Sequence, residues 1–349
     1  MIPHSKPSIN IREISALNSV LRSGLIAEGS LTAKFERQLA DFIGVRFATA
    51  VNSGTSGLHL ALLALKIKQG DEVIIPSYVC TAVLNAVNYT GATVRIVDID
   101  PDSFNICPIA VKEALTKRTK AIIVPHMFGL AADLKELLEF GVPVIEDCAM
   151  AVGATYKGQK LGSFGAISVF SFYATKMLTT AEGGMILANN KKIAAFVRDL
   201  KDYDNKPDYR LRFNYKMNDL SAAIGLEQLK KIPDFISRRQ RIARMYNKSL
   251  VDSGLVLPLG GNIKEHVYFR YAIRLRKSAN ILIAKLQEAG IEAKKPVFRP
   301  LHQYLRLKSA DFPSTNEVFK STVSLPIYPE LSSKNAKYII SKTLKAAAD

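Results

Sequence analysis

Two hydrophobic periods take turns along the first 200 residues of this 349-residue chain. Short runs rich in β-branched residues read as strands: Asp71-Glu-Val-Ile-Ile-Pro, Thr93-Val-Arg-Ile-Val-Asp, Lys120-Ala-Ile-Ile-Val-Pro and Val142-Pro-Val-Ile-Glu-Asp. Between them, Leu58, Ala61, Leu62 and Leu65 fall at i, i+3, i+4 and i+7, and Val111, Ala114 and Leu115 follow the same spacing. Strands that are apolar on both faces must be covered on both faces. The pattern therefore implies an α/β fold, with a mostly parallel central sheet between helices. Ligands of such sheets bind beyond the carboxyl ends of the strands.

The character changes near Asn218. Asn218-Asp-Leu-Ser opens a helix with capping residues, and a basic helical stretch from Ser237-Arg-Arg-Gln-Arg to Tyr246-Asn-Lys leads out of the first unit. His266-Val-Tyr-Phe-Arg-Tyr-Ala-Ile-Arg-Leu alternates like a strand, and Ala279 to Ala289 reads as a helix closed by Gly290. This predicts a large unit over residues 1–236 and a smaller α+β unit over 237–349, with the N-terminal segment free to pack on the smaller one.

Apolar residues make up 48% of the chain, enough to build two cores and to exclude intrinsic disorder. No run of about 18 uncharged apolar residues marks a membrane span. The opening Met1-Ile-Pro-His-Ser-Lys lacks the apolar stretch of a signal peptide, so the expected location is the cytoplasm. Cys80, Cys107 and Cys148 have neither metal-type spacing nor an even count, so neither a metal site nor a disulfide framework is expected. The formal net charge is +17, of which residues 1–200 carry +3 and residues 201–349 carry +14. A basic excess of that size fits a polyanionic partner or a phosphorylated substrate.

The most informative segment is Glu146-Asp-Cys-Ala-Met-Ala-Val-Gly-Ala, followed by Gly162-Ser-Phe-Gly-Ala-Ile-Ser-Val-Phe-Ser-Phe-Tyr-Ala-Thr-Lys176 and then Glu182-Gly-Gly. An acid ends one apolar run and a lysine follows the next. Upstream, Val51-Asn-Ser-Gly-Thr-Ser-Gly introduces an apolar helix. Together with Ser23-Gly, Gly70-Asp-Glu-Val-Ile-Ile-Pro-Ser and Ser324-Leu-Pro-Ile-Tyr-Pro, these motifs resemble, over nearly the whole chain, the DegT/StrS-type nucleotide-sugar aminotransferases, which are fold-type-I pyridoxal phosphate enzymes.

The resemblance implies a cofactor, pyridoxal 5'-phosphate, and roles for particular residues. Lys176 matches the lysine that anchors the cofactor and moves a proton; among small apolar neighbours its pKa would fall, making it a better nucleophile and base. Asp147 matches the carboxylate that keeps the cofactor's ring nitrogen protonated, while Glu146 points to the opposite face. Gly54, Thr55 and Ser56 at a helix start, with the Ser171 hydroxyl, match the phosphate site. Asn214 matches an asparagine supplied by the neighbouring subunit, which implies a homodimer with shared sites. His126, Tyr173 and His302 are candidates for the substrate side.

Two positions depart from the family pattern. Met150 stands where a hydrogen-bond donor to the cofactor ring is usual, and Cys80 where an aromatic often stacks on it. The implied reaction moves an amino group from an amino acid, glutamate or glutamine, to a keto-sugar, nucleotide-linked as the family's acceptors usually are. Two alternatives compete. A sugar dehydratase would carry histidine in place of Lys176. A non-catalytic or nucleic-acid-binding protein would use the +14 region, but no helix-turn-helix, zinc or aromatic-interleaved basic motif supports it.

Overall fold

The computed structural model describes residues 1–260, 263–276 and 278–348. After helices α1 (Ile11–Ser23) and α2 (Ser30–Ile43), strands and helices alternate: β1 (Phe47–Val51), α3 (Gly54–Ala64), β2 (Glu72–Pro76), α4 (Thr81–Asn88), β3 (Thr93–Val97), α5 (Pro108–Ala114), β4 (Thr119–Pro125), α6 (Leu134–Glu139) and β5 (Val144–Asp147). A short hairpin, β6 (Thr155–Tyr156) and β7 (Gln159–Lys160), precedes β8 (Ile167–Ser171), β9 (Gly184–Ala188) and α7 (Lys191–Leu200). The seven-stranded sheet has the order β1-β9-β8-β5-β4-β2-β3. Its pairs are parallel except those of β9, which runs antiparallel to both β8 and β1.

The expected double-sided burial is met by simple alternation. Along β2, Val73 and Ile75 enter one apolar layer with Leu60 of α3 and Val83 of α4, while Ile74 enters the other with Phe35 and Leu39 of α2. Helix α3 lies against the strands so closely that every residue from Ser56 to Leu62 is buried. Its side chains are apolar around much of the helix, as burial on most sides requires.

Helix α8 (Asp219–Leu250) is continuous across residues 236 and 237 and carries Pro233 in its interior. Leu226, Leu229 and Phe235, up to its midpoint, pack on the sheet layer, and Ile242, Tyr246 and Leu250 beyond it pack into a separate core. That core also holds β11 (Tyr271–Arg274), α9 (Ala279–Glu288), β12 (Thr322–Leu325) and α12 (Ser333–Ala348). The remaining elements are β10 (Lys264–Glu265), α10 (Leu301–Tyr304) and α11 (Pro313–Ser321). The N-terminal segment reaches the same core. Ile2 pairs with Ile291, its N–H donating to the Gly290 carbonyl at 2.7 Å and its carbonyl accepting from Glu292 at 2.9 Å.

Residues 266–275 do not form one strand; only Tyr271–Arg274 does. The preceding residues turn through Tyr268, at φ 51°, and dock on the loop after β4. There the Val267 N–H donates to Gly129 at 3.1 Å and the Arg270 N–H to Phe128 at 3.4 Å. Among the described residues, no helix is long and apolar enough to cross a membrane.

Candidate functional site

Beyond the carboxyl ends of β5 and β8 the chain leaves a cleft of about 200 Å³ lined by Gly54, Thr55, Cys80, Asp147, Ser171 and Lys176 among others. A second lobe of about 380 Å³ shares Cys80, Tyr173 and Lys176 and adds Met150, Phe269, Arg270, Phe298, Arg299 and Tyr304. Lys176 is the only lysine lining either lobe among the described residues. It sits in the loop between β8 and β9, where its N–H closes a turn onto the Tyr173 carbonyl at 2.8 Å. Phe172 spans the base of that loop, donating to Gly183 and accepting from Thr180, both at 2.9 Å. Burial lowers the pKa of the Lys176 amine below its ordinary value, and the Arg270 charge acts in the same direction. Cys80 and Asp147 oppose the shift without reversing it.

Asp147 ends β5 and is 6% exposed. Its Oδ1 accepts from the Ala149 N–H at 3.0 Å, and among the described residues it forms no ion pair within contact distance. Burial pushes its pKa up, with Ala149, Lys176 and His126 pulling the other way. Glu146, one residue earlier, faces the other side of the sheet, as strand alternation requires. It accepts from the backbone N–H groups of Gly162, Phe164 and Gly165 at 2.7–2.9 Å and from His126 Nε2 at 3.1 Å. Burial would raise its pKa, but these donors outweigh it and hold the carboxyl low.

The anion-binding end is formed where β1 runs into α3. Ser53 caps the helix, its Oγ accepting from the Ser56 N–H at 3.1 Å. Gly54 and Thr55 are the first helical residues, whose N–H groups have no intrahelical acceptor and face the positive end of the helix dipole. A Cβ on Gly54 would stand 2.9 Å from Ser171 Cβ, so only glycine lets the helix start approach β8 this closely. Gly184 is equally constrained: a Cβ there would meet the Ser53 carbonyl at 2.6 Å and the Gly54 nitrogen at 2.8 Å. Backbone atoms cannot step aside as a side-chain tip can. Gly184→Ala is therefore expected to displace this turn at a cost of about 1–3 kcal/mol and to weaken pyridoxal phosphate binding about tenfold in a fluorescence titration. Unchanged affinity would show that the turn does not contact the phosphate.

Of the residues singled out in the sequence, Gly54, Thr55, Cys80, Asp147, Met150, Ser171, Tyr173 and Lys176 line the cleft. Cys80 caps the start of α4, and burial raises the pKa of its thiol, as does the Asp147 charge. Four residues lie elsewhere. Ser56 donates its hydroxyl to Asn52 Oδ1 at 2.7 Å and does not line the cleft, whereas Ser53, one turn earlier, does. His126 is fully buried, with Nδ1 accepting from the Ala132 N–H at 3.2 Å and Nε2 directed at Glu146; one nitrogen ties the loop that follows β4 and the other reaches β5. His302 is 1% exposed, pairs with Ser77 Oγ at 2.7 Å and Asn316 Oδ1 at 3.1 Å, and stacks on Phe312, so it ties α10 to the end of β2. Asn214 is exposed and does not line the cleft of its own chain.

The wall supplied by Phe269 and Arg270 was not singled out in the sequence. Its signal is an arginine inside an otherwise apolar alternating run, Tyr268-Phe-Arg-Tyr-Ala-Ile. Buried Arg239 fixes that wall, donating from Nη1 to the carbonyls of Tyr268 at 3.1 Å and Ile327 at 2.8 Å.

The donor set fits pyridoxal phosphate. A buried carboxylate lacking an ion-pair partner, an amine with a lowered pKa and a glycine-lined helix start correspond in chemistry to a pyridinium N–H, an aldehyde and a phosphate. Residues 7–344 match the DegT/DnrJ/EryC1/StrS aminotransferase family. The chain is 37% identical over 330 residues to a GDP-perosamine synthase of Caulobacter vibrioides, covering 89% of each chain. It is 35% identical over 370 residues to the spore coat polysaccharide biosynthesis protein SpsC of Bacillus subtilis, covering 97% of this chain and 95% of SpsC. Among solved structures, Spr1654 of Streptococcus pneumoniae, provisionally named a sugar aminotransferase and solved in its PLP form, superimposes with a TM-score of 0.94 at 28% identity, covering 99% and 98% of the two chains.

Proposed function

The chain belongs to the DegT/DnrJ/EryC1/StrS aminotransferase family and is a pyridoxal-phosphate-dependent sugar aminotransferase, and from that premise we propose that it moves an amino group from glutamate or glutamine to a nucleotide-linked keto-sugar. The observation that carries this reading is the convergence of Lys176 and Asp147 on one cleft, beside the Gly54 helix start.

Bound pyridoxal phosphate supplies an aldehyde that takes up an amino group and a ring that withdraws electrons from the neighbouring carbon. The chain's own groups do the rest. Gly54 and Thr55 N–H groups and the Ser171 hydroxyl hold the phosphate. Asp147, which forms no ion pair among the described residues, holds a proton at the ring nitrogen, and that partner offsets the burial that otherwise pushes its carboxyl toward the neutral form. Lys176, whose pKa burial lowers from its ordinary value, accepts a proton and returns it more readily than a solvated lysine would. Cys80 and Met150, which line the cleft, would offer the ring sulfur rather than an aromatic face or a hydrogen-bond donor, which would leave Asp147 as the main polar influence on it.

The same reading includes a dimer with shared sites, in the cytoplasm. Asn214 is exposed, and the preceding loop exposes Tyr209 and Leu211 at 96% and 71%, an apolar surface suited to a second copy. The division of the chain near residues 236 and 237 is supported by the separate cores on the two halves of α8.

The test is spectral. Purified protein, eluting at the mass of two chains, is expected to absorb visible light and to lose that band to borohydride. L-glutamate or L-glutamine should shift the band to that of the amine form of the cofactor, and a nucleotide-linked keto-sugar should reverse the shift. Reversal by free keto-sugars as efficient as by nucleotide-linked ones would overturn the acceptor class.

A further inference from the structure

Arg270 is a half-buried cation that lines the cleft without a carboxylate partner. Among the described residues it forms no ion pair, and its Nε is buried without a hydrogen bond. Its guanidinium lies over the Phe269 ring, with Cζ 5.0 Å from the centroid, and the Lys176 amine lies 5.4 Å from the same centroid. The two cationic groups therefore share one aromatic wall.

The guanidinium is held from behind by His4. Arg270 Nη1 donates to the His4 ring, contacting Nδ1 and lying 3.2 Å from Nε2. His4 is 2% exposed; its Nε2 is 2.9 Å from Ser324 Oγ and its backbone N–H donates to Glu292 Oε2 at 2.9 Å. Burial, and the positive charges of Arg270, Lys294 and Arg239, lower its pKa to about 2, so the ring is a neutral acceptor at physiological pH. The one acid that acts on Arg270, Glu292, is engaged by the His4 N–H and by Lys294 Nζ at 2.9 Å. Burial lowers the Arg270 pKa only to about 10, so it stays charged.

A desolvated guanidinium without a counter-ion is a site for an anion, and its planar fork matches a carboxylate. Position selects which one. In an amino donor the carboxylate sits on the same carbon as the departing amine, so it must lie next to the reacting centre. In a nucleotide-linked sugar the diphosphate is separated from the keto carbon by the sugar ring. We propose that Arg270 binds the α-carboxylate of the amino donor and that His4 is the positioning residue that aims it. The assignment rests on the aminotransfer reading above and adds a donor subsite to it.

The experiment compares half-reactions in the holoenzyme, using L-glutamate, L-glutamine, the α-methyl ester of glutamate and a nucleotide-linked keto-sugar. Arg270→Met should raise the KM for the free amino acids about 100-fold, leave the keto-sugar KM within twofold, and remove the preference for glutamate over its ester. His4→Ala should raise the donor KM about tenfold with little change in kcat, and His4→Asn, a neutral residue with an acceptor, should recover part of that loss. A merely structural role would not separate donor from acceptor. Borohydride labelling of Lys176 verifies that each variant is folded and loaded. If Arg270→Met does not fold, Arg270→Lys, which keeps the charge and loses the fork, carries the same comparison with His4→Ala. An unmoved donor KM in loaded variants, or a rise confined to the keto-sugar, overturns this assignment alone. Failure of the unmodified protein to react with either amino acid overturns the aminotransfer reading and this assignment with it.

Discussion

Replacing Lys176 by alanine is expected to lower turnover by about 10⁴-fold or more, since it removes at once the covalent anchor of the cofactor and the group that moves the proton. No other lysine among the described residues lines the cleft, and the guanidinium groups of the arginines that do, Arg270 and Arg299, cannot replace a primary amine as the covalent anchor. The variant should fold. Lys176 contributes to the protein a backbone turn onto Tyr173, which alanine preserves, and a desolvated side chain whose removal relieves a burial cost. The melting temperature of the cofactor-free variant is therefore expected to equal or exceed that of the cofactor-free parent. Turnover in the purified variant within a hundredfold of the parent would remove Lys176 from its assigned role, and so would borohydride labelling of another residue in the parent.

The second large effect is expected at Asp147. Asparagine has the same shape and can keep an oxygen facing the Ala149 N–H, so Asp147→Asn changes charge and little else. With the charge gone, no other carboxylate at the end of β5 lines the lobe, among the described residues, to hold a proton on the ring nitrogen. A fall in kcat of about 10³-fold is expected, the scale of losing one preorganised electrostatic partner of a developing charge. A kcat within tenfold of the parent would show that the buried carboxylate serves the fold and not the ring. The substitution should also stabilise the cofactor-free protein against unfolding at neutral pH. A carboxyl whose folded pKa is raised by burial costs stability above its unfolded pKa, and asparagine removes that cost.

Much of this arrangement is legible in the residues themselves. The runs ending at Pro76, Pro125 and Asp147 form strands β2, β4 and β5 close to their expected limits, because buried parallel strands announce themselves as short β-branched runs. Asp147, Lys176 and the Gly54 turn are readable because each is tied to the end of such an element. What escapes is non-local. His302 and His126 look like free histidines in sequence, and only Ser77 with Asn316, or Glu146 with the Ala132 N–H, shows that their nitrogens are occupied. The expected strand 266–275 bends at Tyr268 because the Gly129 and Phe128 carbonyls, more than 130 residues away, accept from the Val267 and Arg270 N–H groups on either side of it. His4 and Arg270 meet across a separation of 266 residues, a pairing no periodicity encodes.

The antiparallel strand β9 has a further consequence, in the time domain. It sets Phe47 opposite Ala188 and Val51 opposite Gly184, so the two lips of the cleft come from segments far apart in the chain and meet only when β9 inserts between β8 and β1. Closing so long a loop is entropically costly, and it is expected to come after the local strand–helix units have formed. A molecule that touches both Gly54 and Lys176 recognises only chains that have completed that step. Its presence during refolding then acts as a latch on the last insertion, raising the yield of native protein as well as occupying the finished site.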